Sequence, residues 1–290
     1  MTIEVIDVLT LGATLGEGPM WSAAENALWF VDIKQFRLHR FDPDTQALRT
    51  WTAPEQPGWI LPADGGGLAV GMQSGIHRFD PKTGQFDFVA HPEAHLPGNR
   101  FNDATVDPTG AIWFGTMHDA EGEASGRFYR HRDGETVDAG ITPITITNGP
   151  AVSPDGATLY HVDTLGNTIQ ASAINDDGTL GPARPFAMIE DGAGHPDGPT
   201  VDAEGHVWIG LFGGWAVRRY DPAGQLALTV PFPVANITKI AFGGDGLRTA
   251  YATTARLGLE PDALAAQPMA GDLFAFEPGV AGLTLPAARI

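Results

Sequence analysis

The sequence predicts an all-β fold, a six-bladed propeller of four-stranded antiparallel blades. Two observations predict it: strand-like runs recurring at one spacing, and a turn signature ahead of most of them. Runs rich in aromatic and β-branched residues stand at 28–31, 68–71, 112–115, 159–162, 207–210 and 250–253, the composition of strands. Their second residues, Trp29, Ala69, Trp113, Tyr160, Trp208 and Tyr251, lie 40, 44, 47, 48 and 43 residues apart, a spacing in the range of propeller blades.

Local chemistry justifies each element. Ahead of the runs stand Asp64-Gly65-Gly66-Gly67, Asp107-Pro108-Thr109-Gly110, Ser153-Pro154-Asp155-Gly156, Asp202-Ala203-Glu204-Gly205 and Gly244-Asp245-Gly246. Asp or Ser opens a tight turn by accepting a backbone hydrogen bond, Pro presets φ, and Gly takes the positive φ that follows. A second turn family trails several runs, as in Phe41-Asp42-Pro43, Phe79-Asp80-Pro81-Lys82-Thr83-Gly84 and Tyr220-Asp221-Pro222-Ala223-Gly224. Two hairpins per period make a four-stranded unit. No stretch sustains a 3.6-residue period, and the best helical candidate, 260–267, is short and ends at Pro268. Six units close into a ring that exposes only short outer edges. The N-terminal run 4–9 is expected to complete the last blade beside 273–276, which makes the whole chain, 1–290, a single domain.

Composition narrows the function. Lys and Arg number 17 against 35 Asp and Glu, a formal charge of −18, which argues against nucleic acid and anionic membrane as partners because both need clustered cations. With 43 % hydrophobic residues there is material for a core, and the absence of Cys excludes disulfides and thiolate metal sites or nucleophiles. The opening residues Met1 to Asp7 lack the features of a signal peptide, and no run approaches a membrane span. A cytoplasmic protein is expected, and a closed propeller gives no reason to expect more than a monomer.

The inner strand of each blade should be the segment before each turn, lining the central channel. There Glu17 lies 12 residues before Trp29, Asn102 lies 11 before Trp113, Asn148 lies 12 before Tyr160 and Asp197 lies 11 before Trp208, whereas the other two blades offer Ile60 and Thr238. Polar side chains at one depth on different blades converge on the axis. Two converging carboxylates repel and are partly desolvated, so one must take up a proton or a cation must sit between them. Glu17, Asp197 and the amide oxygen of Asn148 form an oxygen-rich set suited to one divalent metal ion, Ca²⁺, Mg²⁺ or Mn²⁺, with Fe²⁺ and Zn²⁺ also acceptable. The competing reading is that Asn and Asp merely cap turns beside glycine; four in register weigh against it.

The fragments Leu15-Gly16-Glu17-Gly18-Pro19, Arg100-Phe101-Asn102-Asp103, Gly115-Thr116-Met117, Thr147-Asn148-Gly149-Pro150, Pro196-Asp197-Gly198 and Phe242-Gly243-Gly244, in this order, resemble the gluconolactonase, regucalcin and senescence-marker-protein family. The resemblance implies a six-bladed propeller with one axial divalent metal that hydrolyses sugar lactones. Carried over by motif, Glu17, Asn148 and Asp197 are metal ligands, Asp197 is also the general base, and Arg100 and Asn102 hold substrate. After Gly-Thr-Met the animal members have paired acidic residues, where this chain reads His118-Asp119-Ala120-Glu121. That version resembles bacterial enzymes acting on pentonolactones such as xylonolactone or arabinonolactone, with His118 and Asp119 as substrate contacts.

In such a site a divalent ion polarises the lactone carbonyl, Asp197 accepts a proton from the attacking water, and the Arg100 fork holds hydroxyls or the carbonyl. Lys239 joins Arg100 in softening a strongly acidic field. His161, within a strand, reads as a core histidine; His195 reads as a neighbour of the site or an exposed residue; 121–123 reads as an acidic loop. The tryptophans read mainly as core. Alternatives are a promiscuous metal-dependent esterase or phosphotriesterase, and a non-catalytic calcium-binding or protein-binding propeller.

Overall fold

The computed structural model describes residues 3–290; Met1 and Thr2, part of the stretch read for signal-peptide features, lie outside the described residues. Six four-stranded antiparallel sheets follow one another around an axis. Blades 1 to 5 span 16–52, 57–90, 99–138, 147–188 and 195–231, each in sequential strand order. Blade 6 contributes three strands between 237 and 276, and its outermost position is filled by Val5–Leu9, which pairs with Leu273–Phe276 in the register Val5 to Phe276 and Ile6 to Ala275. Ring closure therefore joins the two ends of the chain. The helix anticipated at 260–267 is the short Pro261–Ala266, and among the described residues no helix is long and apolar enough to cross a membrane.

The turn chemistry explains why blades stack. In blade 3 one oxygen of Asp107 accepts the Thr109 and Ala111 amides while the other accepts the Trp113 indole N–H at 2.9 Å. Asp202 repeats this in blade 5, accepting the Glu204 and His206 amides and the Trp208 indole at 2.8 Å. One carboxylate thus shapes the turn and satisfies the polar edge of a fully buried ring. Strand pairing puts Ser22 in the corresponding place in blade 1, and the buried Trp29 indole there has no acceptor among the described residues. The aromatic rings bridge neighbouring blades: Trp59 stacks on Phe101, and Trp208 meets Phe242 and Phe276. Trp215 departs from the core reading, being 45 % exposed. His161 is buried beside Phe128 with its Nε2 3.3 Å from the Ser172 hydroxyl, a core histidine whose desolvation lowers its pKa to about 4.

Beyond the last strand the C-terminal segment crosses the end of the ring. The Ala203 amide donates to the Ala281 carbonyl and the Gly282 amide to the Leu247 carbonyl, in blades 5 and 6. On the far side the Ala288 amide donates to the Pro62 carbonyl, the Arg289 amide to the Gly110 carbonyl, and the Asp133 amide to the Arg289 carbonyl, in blades 2 and 3. The segment straps opposite sides of the ring together.

Candidate active site

The innermost strands are Gly16–Ser22, Pro57–Pro62, Asn99–Val106, Thr147–Val152, His195–Val201 and Ile237–Gly243. Each pairs with the next strand of its blade through a register shift, between Glu17 and Met20, Pro57 and Trp59, Phe101 and Ala104, Asn148 and Ala151, Pro196 and Pro199, and Ile237 and Lys239. An extra residue in one strand bends it and re-aims a side chain, and here the irregularity falls at one level in all six blades. Glu17 and Asn148 sit at the edge of their bulges, and Asn102 and Asp197 within theirs. Pro19, Pro150 and Pro199, which lack an amide hydrogen, fit at such breaks in the ladder. Gly149 takes φ 73° where a side chain would press on the Pro199 ring, so neighbouring bulges pack directly on each other.

These strands bring Glu17, Arg100, Asn102, Asn148 and Asp197 to the wall of one cavity of about 220 Å³. All five are at least 94 % buried. Glu17 accepts the Gly18 amide at 2.8 Å and lies within hydrogen-bond reach of Asp197, whose buried Oδ1 has no hydrogen-bond partner among the described residues. Burial first, and the charge of Asp103 second, push Glu17 up to about 7. Burial and then the charge of Glu17 raise Asp197 well above the usual carboxylate range. Two carboxylates in mutual repulsion with an orphaned oxygen form a site short of positive charge.

Asn148 completes the oxygen set. Its Nδ2 donates to the Thr164 hydroxyl at 2.9 Å, which orients the amide, and its Oδ1 accepts from Asn102 Nδ2 at 3.0 Å. Among the described residues no three His, Cys, Asp or Glu side chains gather as a metal cluster, so any ion on the axis would depend on the Asn148 oxygen beside two carboxylates. The chemistry of that set, hard oxygen donors with a residual negative charge, fits a divalent cation.

Arg100 approaches from one side. Its Nε donates to Asp119 at 2.7 Å, its Nη1 to the Phe101 carbonyl and to Asn102 Oδ1 at 2.6 Å, and among the described residues Nη2 has no hydrogen-bond partner. One edge of the guanidinium is left for a ligand. Asn102 spends its Nδ2 on the Thr147 carbonyl and Asn148, and its Oδ1 on Arg100. Asp119 accepts from Arg100, Lys34 and Gln56. Partial burial opposes its ionisation, but the hydrogen bonds from Gln56 and Lys34 and the charge of Arg100 hold it down at about 2. His118 accepts the Gly122 amide through Nδ1 at 3.3 Å and is not part of the cavity wall, whereas Glu121, in the loop so formed, is. His195 is exposed at the cavity edge, with Nδ1 2.8 Å from Asn167 Oδ1.

The floor was not legible as a unit. Asp103 Oδ1 receives Lys239 Nζ at 2.6 Å and the Ala104 amide at 2.7 Å, while its Oδ2 receives the Gly149 amide at 3.0 Å. The Lys239 stem passes over Gly198, where an added Cβ would lie 2.7 Å from it. Beyond this ion pair a second cavity of about 310 Å³, walled by the other ends of the inner strands and by Leu283 and Leu285 of the strap, opens at the opposite mouth. Lys239 lines that second cavity while Glu17 and Asp197 face the first. Asp103 and Lys239 adjoin residues singled out by the repeat, but only folding shows that they face each other across the channel. Lys34, Gln56 and Thr164 lie in connecting segments that carry no repeat signal.

Residues 15–256 match the family model described as SMP-30/Gluconolactonase/LRE-like region. The chain is 33 % identical over 275 residues to 6-deoxy-6-sulfogluconolactonase of Pseudomonas putida, covering 94 % of each chain. It is 37 % identical over 275 residues to L-arabinolactonase of Azospirillum brasilense, covering 93 % of this chain and 90 % of that one. Among solved structures, one described as a calcium-binding protein, regucalcin, from Agrobacterium tumefaciens superposes with a TM-score of 0.95 at 30 % identity, covering 100 % of this chain and 99 % of the other. The chain therefore belongs to the SMP-30/gluconolactonase/LRE-like family.

Proposed function

We propose that the protein is a divalent-cation-dependent lactonase that opens a sugar lactone to its acid, with a pentonolactone as the favoured substrate. The observation that carries this reading is the juxtaposition of Glu17, Asp197 and Asn148 around a cavity that also receives the free edge of Arg100. The cavity is smaller than the roughly 300–1,000 Å³ of sites for drug-sized ligands, which suits a small ring. The similarity to an L-arabinolactonase supports a five-carbon substrate. The similarity to a calcium-binding protein supports an oxygen-coordinated cation.

Glu17, Asp197 and Asn148 would hold the cation, which when bound supplies Lewis-acid polarisation of an acyl oxygen and relieves the repulsion between the carboxylates. Arg100 Nη2 donates to a ring hydroxyl or the carbonyl and so orients the lactone. Asp197, whose Oδ1 has no donor among the described residues, accepts the proton of the attacking water as the acyl carbon is attacked, and returns it to the leaving ring oxygen. Asn102 contributes by fixing both Arg100 and Asn148. Lys239 and Asp103 close the channel below.

Leu15, Met117, Ile146, Leu165, Phe212 and Leu257 share the cavity wall. They suit the carbon face of a sugar ring, and they also favour a second reading, hydrolysis of less polar esters. A pH-indicator assay of metal-stripped and reconstituted protein on pentonic and hexonic lactones, a phenyl ester and a phosphotriester separates the two. Acid release on a pentonolactone, restored by cation, is the expected result, and activity confined to the phenyl or phosphoryl ester would replace the reading. Asp197→Asn should lower kcat on the lactone by about 10²- to 10⁴-fold with the fold retained; wild-type turnover would remove Asp197 as base.

A further inference from the structure

We infer that Lys34 and Gln56 are positioning residues of this site, acting through Asp119 to hold the Arg100 guanidinium in place. The inference rests on the reading of Arg100 as the group that receives substrate. Lys34 Nζ donates to Asp119 Oδ1 at 2.6 Å and to Gln56 Oε1 at 2.9 Å, and Gln56 Nε2 donates to Asp119 Oδ2 at 3.0 Å. The three side chains close a triangle in which each fixes the other two. Asp119 Oδ1 also receives Arg100 Nε at 2.7 Å. Three protein donors occupy most of the roughly four acceptor positions of a carboxylate, so Asp119 has little left for a substrate hydroxyl. It is a strut for Arg100 and not the sugar contact that its motif suggests.

The origin of the parts explains what the clasp achieves. Arg100 and Asp119 belong to blade 3, Lys34 to a turn of blade 1, and Gln56 to the connection between blades 1 and 2, so the clasp ties segments from two sides of blade 2 at the cavity mouth. From Asp119 the contacts continue inward, Arg100 Nη1 to Asn102 Oδ1 at 2.6 Å and Asn102 Nδ2 to Asn148 Oδ1 at 3.0 Å. A cation at the half-exposed rim is thereby connected to the oxygen that completes the axial set. The Lys34 and Asp119 side chains are 25 % and 30 % exposed, and ion pairs of that kind contribute little to stability. Removing Lys34 should therefore leave the fold intact while freeing Arg100 to turn.

The test uses the full chain, reconstituted with cation, on the lactone that the wild type hydrolyses. Lys34→Met should raise KM about tenfold with kcat within about twofold, Lys34→Arg should restore most of the loss, and Gln56→Ala should fall between. A second readout is independent of turnover: in protein labelled with ¹⁵N-arginine, the Nε–H signal of Arg100, assigned with Arg100→Lys, should exchange faster with solvent in Lys34→Met. Unchanged KM and unchanged exchange in Lys34→Met, beside an Arg100→Ala variant that loses substrate binding, would overturn the inference and leave the proposed function standing. If Arg100→Ala binds lactone normally, or the wild type hydrolyses none, the function fails instead, and the exchange rate alone decides whether Lys34 holds Arg100.

Discussion

Glu17 gives the account a quantitative handle. Without a cation its carboxyl titrates near 7, raised from 4.5 by burial and by the charge of Asp103. A group whose folded pKa lies above its unfolded value binds more protons in the folded state between those two pKa values, so stability falls as pH rises from 4.5 to 7 and stays low above. The shift corresponds to about 3 kcal/mol lost by pH 8. Glu17→Gln removes the ionisation and keeps an oxygen to accept the Gly18 amide, now held at 2.8 Å, while its amide hydrogens can serve the unpartnered Asp197 Oδ1. The chelated variant should therefore match the wild type at pH 4.5 and exceed it by about 3 kcal/mol at pH 8, which for a chain of this size is a rise in Tm of roughly 5 °C. Thermal melts of both proteins in chelator across that pH range measure it. With excess Ca²⁺ the order should reverse, because only the wild type gains binding energy. A stability difference that does not change with pH, or a variant less stable than the wild type at pH 8 in chelator, would refute the charge-deficit description of the site.

Two predictions concern the scaffold. Asp202→Ala leaves the Trp208 indole, the Glu204 and His206 amides and the Arg219 Nε without their acceptor, Arg219 keeping only Glu204, which should cost about 3 kcal/mol in a denaturant titration, whereas Glu204→Ala, at the exposed end of the same turn, should cost under about 0.5 kcal/mol. Removing residues 280–290 breaks the strap between opposite blades and should lower Tm and speed amide exchange at Asp64 and Asp133; unchanged exchange at both would show that the strap does not tie the ring.

Blade number and the depth of the polar ring could be read from the chain because both repeat. Asp107 and Asp202 announce their turns and sit six residues ahead of the tryptophans they serve, and Glu17, Asn102, Asn148 and Asp197 lie 11 or 12 residues ahead of their anchors. The register shifts that aim them are foreshadowed only where proline interrupts an inner strand. Lys34, Gln56 and Thr164 were invisible because contacts between connections depend on loop paths, which no periodicity encodes. Asp119 shows the same limit from the other side: its position beside the site is legible, but its engagement with Arg100, Lys34 and Gln56 emerges only when three segments meet. Asp103 and Lys239, 136 residues apart in the chain, form the floor for the same reason.

The central claim is that Glu17, Asn148 and Asp197 hold a divalent cation on which lactone opening depends. Its most direct test is the initial rate of acid release from a pentonolactone by chelated protein during titration with Ca²⁺, Mg²⁺, Mn²⁺, Fe²⁺ and Zn²⁺, beside Asn148→Ala. Activity that is absent in chelator, returns with about one equivalent of a tight-binding ion, and requires a much higher ion concentration in the variant is the predicted result; full hydrolysis in chelator, or identical titrations for wild type and Asn148→Ala, would contradict it.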